Sequence, residues 1–381
     1  MPCLKSSLIV LVTLAAGCVA QSIVELLSGR PELSNFTSFA SRDSGFITTL
    51  SSASNITVLA PNNEAIANAM KSMPSNILNR ADHVRSLLDY HVLNGTYRSA
   101  DLGDKPKFWP TILNHEHFAN LTAGEQQVVK AVLMDDHGAL YSGFDRPSMV
   151  SRADMSFNRG LVHIIDSVLV LPANVSTTAI TLNLTAVAGA LATANLTHTV
   201  DTLSGVTIFA PSNAAFQAIG NLVGGLSHEK LVSILNYHVV PVRAFSVDLT
   251  NDQKLKTAQG GEITIRTNNG DVYANGAKVI TANVITNNGV IHVIDGVLNP
   301  NATNDEPDTS ASTQAPAFPS ATRSSGVPFT SGVPTPTGSG MTTASATAGA
   351  GGNPNAAGSI TSNIVITVLG AALALAASMI I

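Results

Sequence analysis

The sequence predicts an α+β fold built twice in tandem, and three repeated blocks carry that prediction. TVLAPNNEAI at residues 57–66 returns as TIFAPSNAAF at 207–216. LLDYHVL at 87–93 returns as ILNYHVV at 234–240, and NRGLVHIIDSVL at 158–169 as NNGVIHVIDGVL at 287–298. Blocks repeated in one order mean two copies of one domain. In each copy helix-favouring segments precede a run of short alternating strands, the pattern of an α+β domain. The offsets also locate a length difference. Tyr90 to Asn158 is 68 residues and Tyr237 to Asn287 is 50, so the first copy carries 18 more, expected around residues 108–121.

In chain order, residues 1–20 read as a secretory signal peptide: Lys5, an apolar stretch over 8–16, then Cys18-Val19-Ala20 as a small-x-small cleavage site. Domain 1 is expected over 21–172 and domain 2 over 173–300. Each opens with helix, at SIVELL (22–27) and at the Ala-rich LTAVAGALATA (184–194). Each first block is a buried strand that stops at proline, Pro61 or Pro211, which cannot donate to a sheet ladder. Asn62 and Ser212 then cap helices starting at Asn63 and Asn213. A second helix is expected at 81–89 and at 227–236. Strands follow at 127–134 and 139–141 in copy one. In copy two they fall at 262–267, 272–274 and 278–281, punctuated by Asn-Gly turns. Each copy ends on the strand that contains His163 or His292.

Residues 301–352 are dominated by Ser, Thr, Pro, Ala and Gly without apolar periodicity. Such a segment is expected to stay disordered and extended, as an O-glycosylated stalk. Residues 353–381 end in an uncharged apolar run after a polar, small-residue stretch. That pattern predicts a glycosylphosphatidylinositol signal whose tail is removed, with Asn355, Gly351 or Gly349 as the attachment residue. Both cysteines, Cys3 and Cys18, lie in the signal segment, so apolar cores must hold the mature chain without disulfides. The formal net charge of −5 and the absence of a basic cluster argue against a nucleic-acid partner.

The three blocks resemble the fasciclin (FAS1) family. The T-[VI]-[LF]-A-P-x-N block, the Tyr-His pair and the [VI]-H-[VI]-I-D-x-V-L block all stand in both copies, in order. The resemblance implies two tandem FAS1-like domains, each a wedge of two packed β-sheets with flanking helices. It also implies a GPI-anchored, fungal-type glycoprotein of the cell surface or cell wall. Its FAS1 domains would adhere to extracellular matrix, wall polysaccharide, other surface glycoproteins or a second copy of the chain. It places an adhesion surface at Tyr90, His91, Tyr237 and His238. The apolar neighbours Leu87, Leu88, Val92 and Leu93 equally fit a packed helix-to-strand junction.

Eight N-x-[ST] sequons are candidates for N-glycosylation: Asn35, Asn55, Asn94, Asn120, Asn174, Asn183, Asn195 and Asn301. Asn55, Asn183 and Asn195 abut predicted elements and are the three expected to stay unmodified. His163 and Asp166, like His292 and Asp295, are three apart in a strand and so point to opposite faces. They make no catalytic dyad. His115 and His117 share one side of an extended segment but have no third ligand nearby in sequence. Trp109, in the same insertion, is either a contact platform or a pin for its loop. No catalytic or cofactor motif appears, so no catalytic residue, metal or cofactor is expected. The readings left open are an adhesion protein, a wall spacer that carries glycans without a specific ligand and, third, an extracellular hydrolase or metalloenzyme.

Overall fold

The computed structural model describes residues 21–72, 80–302 and 306–334. The signal peptide, residues 335–352 of the stalk and the anchor signal with Asn355 lie outside the described residues, as do Gly349 and Gly351.

In domain 1 three helices come first: α1 (Ile23–Ser28), α2 (Ser34–Ala40) and α3 (Ser44–Ser52). Ser22 and Glu25 form a capping box that starts the first. Strand β1 (Ile56–Pro61) is buried along its whole length. It ends at the expected proline, and Asn62 Oδ1 accepts from the Ala65 N–H at 2.8 Å to open α4 (Asn63–Ser72). Then come α5 (Ala81–Tyr90), β2 (Val92–Leu93), β3 (Lys107–Pro110), β4 (Val128–Met134), β5 (His137–Ser142), β6 (Arg146–Phe157) and β7 (Gly160–Ile165).

Domain 2 repeats this. Helices α6 (Val175–Thr181), α7 (Thr185–Thr193) and α8 (Thr197–Thr202) lead into β8 (Val206–Pro211). Ser212 Oγ, 3.1 Å from the Ala215 N–H, caps α9 (Asn213–Ala218). After α10 (Gly220–Val223) and α11 (His228–Tyr237) come β9 (Val239–Val240), β10 (Lys254–Lys256) and β11 (Glu262–Asn268). The chain of strands closes with β12 (Asp271–Ala274), β13 (Ala277–Thr286) and β14 (Gly289–Ile294).

Each domain has one seven-stranded hydrogen-bonded sheet, in the orders β2-β1-β7-β6-β5-β4-β3 and β9-β8-β14-β13-β12-β11-β10. The first and last repeated blocks are parallel neighbours, Ile56↔Gly160 to Pro61↔Ile165 and Val206↔Gly289 to Pro211↔Ile294. A strand with a parallel partner and a covered face on each side reads as a continuous apolar run. Bulges in β6 and β13 bend the sheet. The bend lets its two ends pack face to face, which is the predicted two-layer wedge. Leu59, Leu93 and Ile165 from one half meet Trp109, Val129, Ala131 and Leu140 from the other. The outer face of the first half, Val58, Ala60, Val162 and Ile164, packs on Leu26, Phe36, Phe46 and Leu50 of the helices.

One expectation is refined and a second corrected. The extra length of copy one lies mostly between β3 and β4, residues 111–127, where copy two has only 257–261. The rest is spread over β3, β5, β6 and the turn Gly143–Asp145, each one or two residues longer than its counterpart in copy two. Secondly, residues 306–334 of the presumed extended stalk lie folded along domain 2. Phe318, Ala321, Val327 and Phe329 pack against its core. Four apolar side chains, too irregularly spaced to show a period, together with hydrogen bonds with Asn221, Gln217 and Asn299 seat a segment whose composition looks disordered.

Candidate functional site

The two Tyr-His pairs occupy one place in both domains, the C-terminal end of α5 and of α11. Tyr90 and Tyr237 are 0% exposed, His91 2% and His238 3%. Tyr90 donates its hydroxyl proton to Val128 O at 2.9 Å, and Tyr237 to Glu262 O at 2.6 Å. These bonds tie the helix end to β4 and β11 in the far half of the sheet. His91 donates from Nδ1 to Leu87 O at 2.7 Å, and its Nε2 accepts from the Leu169 N–H at 3.0 Å. His238 repeats this with Ile234 O at 2.8 Å and Leu298 N–H at 2.9 Å. One donor and one acceptor per ring require the neutral imidazole. Burial drives both pKa values down to about 4. Burial therefore speaks against the adhesion surface expected at Tyr90, His91, Tyr237 and His238: these side chains bolt the fold from inside, and His91 also lines an apolar groove with Leu87, Leu88 and Val168.

The last repeated block works the same way. His163 donates from Nε2 to Tyr97 O at 2.8 Å and accepts from Asp154 N–H at 3.0 Å. His292 faces Ala244 O at 3.0 Å and Asn283 N–H at 3.4 Å. Asp166 and Asp295 point away from these histidines and accept from the Met149 and Lys278 N–H groups across the neighbouring strand. Thr57 and Thr207 complete the network. Each hydroxyl donates to the carbonyl of Gly95 or Val242 and accepts from the N–H of Tyr97 or Ala244. A buried network with every member satisfied specifies one packing.

His115 and His117 stand near His83, around the Phe118 ring. Among the described residues no group of three metal-ligating side chains is placed to hold an ion. Trp109 is buried and stacked on Tyr97, with centroids 5.0 Å apart, so it pins its loop.

What the sequence did not reveal is where the first-copy insertion goes: it grips domain 2. Gln127, fully buried, donates from Nε2 to Thr286 O at 3.0 Å. Arg243 donates to Gln126 O at 3.0 Å and pairs with Glu125 at 3.7 Å. Asn287 donates to His117 O at 3.0 Å. Phe108 and Phe245 stack across the domains, 3.7 Å between centroids, beside Val128, Ile285 and Val290. Gly205 is bare where a Cβ would meet Thr122 Oγ1 at 2.1 Å. Only the unequal length of the two copies hinted at this clamp.

The sequons divide by exposure. Asn35, Asn55, Asn94, Asn183, Asn195 and Asn301 are exposed. Asn55, Asn183 and Asn195, expected to stay unmodified, thus stand open to solvent, each in a left-handed turn (φ 59°, 60° and 53°). Asn174 is half-buried and caps α6. Asn120 is half-buried in the clamp. Its Nδ2 donates to Thr202 O at 3.2 Å and Leu203 O at 3.4 Å, and its Oδ1 accepts from Ser204 at 2.7 Å.

Known proteins are similar to this chain. A fasciclin-like arabinogalactan protein of Arthroderma benhamiae is 34% identical over 320 residues, 83% of this chain and 75% of its own. One from Phaeosphaeria nodorum is 32% identical over 73% of this chain and 88% of its own. The pig transforming growth factor-beta-induced protein ig-h3 is 36% identical over 36% of this chain and 22% of its own. A FAS1 domain pair from the insect cell adhesion molecule fasciclin I aligns at 21% identity with a TM-score of 0.35, over 70% of this chain and 97% of that one. The fasciclin domain model matches residues 31–172 and 182–300. With both repeats matched over nearly all of the folded sequence, this chain belongs to the fasciclin domain family.

Proposed function

We propose that this chain is a cell-surface adhesion glycoprotein that binds wall polysaccharide, matrix or other surface glycoproteins through its two FAS1 domains. The observation that carries this is the clamp. Glu125, Gln126, Gln127 and Asn120 of one domain lock onto Arg243, Thr286 and the 202–204 turn of the other. Two domains held in one orientation present their surfaces at a fixed spacing, so two weak contacts act at high effective concentration. The relatives' names, fasciclin-like arabinogalactan protein among them, support the class. No enzymatic step is part of this proposal. Residues 1–20 would deliver the chain to the secretory pathway, and residues 353–381 would exchange their apolar tail for a lipid anchor at Asn355, Gly351 or Gly349. Release from cells by phosphatidylinositol-specific phospholipase checks the anchor, and retention where a control anchored protein is released refutes it.

A second reading, a glycan-carrying wall spacer, is favoured by the burial of both Tyr-His pairs and the outward position of six sequons. The deciding experiment is binding of residues 21–334 to intact cells and to isolated wall, before and after enzymatic deglycosylation. Saturable binding that survives deglycosylation supports adhesion by the protein surface. Binding that disappears with the glycans supports the spacer.

A further inference from the structure

Residues 314–334 form a strap along the helices of domain 2. Phe329 meets Phe216 edge-on, 5.8 Å between centroids. Ser324 N–H donates to Gln217 O at 2.9 Å, and Asn221 N–H to Thr322 O at 3.3 Å. The Asn221 side chain holds the strap from both sides: Oδ1 accepts from Thr322 N–H at 2.7 Å and Nδ2 donates to Ser320 O at 3.1 Å. Arg323 donates to Gln217 Oε1 at 2.6 Å. Nearer the body, Asn299 donates to Ala317 O at 2.9 Å and Gln314 N–H to Asp295 at 3.1 Å.

The seat is cut for this occupant by two glycines. A Cβ on Gly189 would lie 1.6 Å from Phe329 O, and one on Gly220 would lie 2.0 Å from Ser324 Oγ. Copy one lacks this seat. Asn63 and Asn213 are equivalent, since each accepts from the N–H of the early helix, at Asn35 and Ala186. Counting from those pairs, Ser38 and Met70 stand where copy two has Gly189 and Gly220. Domain 1 keeps an apolar groove at the equivalent place, lined by Phe36, Phe39, Ile66, Ala69 and Met70, but without the two bare positions that admit the strap.

We propose that strap and groove are a homotypic docking pair, the strap of one copy seating in domain 2 of a second copy. This rests on the adhesion reading and names a second copy as the partner. Every copy carries both halves of the pair, and no disulfide holds the strap, because the chain has no cysteine after Cys18. The contacts in trans are those made in cis, so exchange costs only the difference in effective concentration. Residues 301–313 join the strap to the body, and about 13 residues reach about 45 Å when extended. A tether of that length sets a local strap concentration in the millimolar range. Dilute copies therefore keep their straps, whereas copies crowded on a surface reach comparable concentrations and exchange them.

The test uses two single variants of the full mature chain, Asn221→Cys and Thr322→Cys, mixed and oxidised, once in dilute solution and once tethered densely by the C-terminus to lipid vesicles. A strap from one variant seated on the groove of the other favours the disulfide between them over like-with-like pairing. The expected result is 221–322 heterodimer on vesicles, several-fold above the 221–221 and 322–322 products and absent in dilute solution. Adding Phe329→Ala should lower its yield several-fold. The double variant, with both cysteines in one chain, should close within itself. Once closed it should form no interchain product through the seat. A double variant that closes alongside single variants that never cross-link at high density overturns the exchange. A double variant that does not close overturns the seating itself. Cell binding by the closed double variant separates the two proposals, since wild-type binding there preserves adhesion and removes strap exchange.

Discussion

Lowering the pH should loosen this protein through His91 and His238, and the size of the effect follows from their bonds. Each ring spends Nδ1–H on a helix carbonyl and Nε2 on an incoming N–H, so a second proton would set two donors against each other. Burial lowers each pKa from 6.5 to about 4. Between these values the unfolded chain binds protons that the folded chain refuses, so stability is full above the unfolded pKa and falls as the pH drops toward the folded one. From about pH 7 to about pH 5 each histidine removes about 2 kcal/mol. The pair together removes a sizeable share of the roughly 5–15 kcal/mol that holds an ordinary domain. The assay is urea unfolding followed by the fluorescence of Trp109, the only tryptophan, which is buried in domain 1 with His91. His91→Gln should cost about 1–3 kcal/mol near neutral pH, because a buried partner is lost. Its stability should then fall by about 2 kcal/mol less than wild type between about pH 7 and about pH 5. The remaining histidines titrate in both proteins and cancel in the difference. An unchanged pH dependence in His91→Gln would refute the neutral-bolt argument.

Three further outcomes are expected. Phe245→Ala removes the stack on Phe108 and opens the apolar centre of the clamp. It should cost about 3 kcal/mol and split one calorimetric transition into two, one per domain. Gly289→Ala places a Cβ 1.9 Å from Val206 O, and Gly160→Ala one 1.9 Å from Ile56 O, each inside a parallel strand pair. Either should cost at least about 3 kcal/mol by chemical denaturation, since neither strand can yield without breaking its ladder. Glycopeptide mass spectrometry of the secreted protein should find sugar at exposed sequons such as Asn183 and Asn195 and none at Asn120, whose amide is bonded across the domains. Full occupancy of Asn120 would mean the clamp is open when the glycan is added.

Local chemistry was legible in the sequence and distant pairing was not. Pro61 and Pro211 end their strands, and Asn62 and Ser212 cap the helices that follow, because stop and start lie within a few residues of each other. The role of Tyr90 depends on Val128 O, 38 residues away. A Tyr-His pair beside apolar residues therefore reads equally well as a surface or a bolt until the sheet has curled. The sequons at Asn55, Asn183 and Asn195 read as unmodified because they adjoin predicted elements. They stand open to solvent in left-handed turns, and an N-x-T pattern carries no sign of that. In the strap, composition pointed to disorder, whereas the outcome was set by two glycines far upstream, Gly189 and Gly220, that make room for it.

The two copies have kept one interior and diverged at their margins. His91 and His238, Tyr90 and Tyr237, and Thr57 and Thr207 make the same bonds to equivalent partners. The departures fall where each copy meets something outside itself. Copy one lengthens its β3–β4 loop to residues 111–127, where copy two has 257–261, and that loop carries the hydrogen bonds of the clamp. Copy two clears Gly189 and Gly220 and receives the strap. A duplicated domain free to drift would scatter its changes over the exposed surface. Here the loop insertion builds a contact between the domains, and the two bare positions build a contact with the segment that follows them. The repeat therefore supplies a scaffold, and the unequal parts set how its two surfaces are held and what lies over one of them. A search for the adhesive residues belongs on those unequal margins and on the exposed faces the clamp fixes in place, away from the motifs by which the family is recognised.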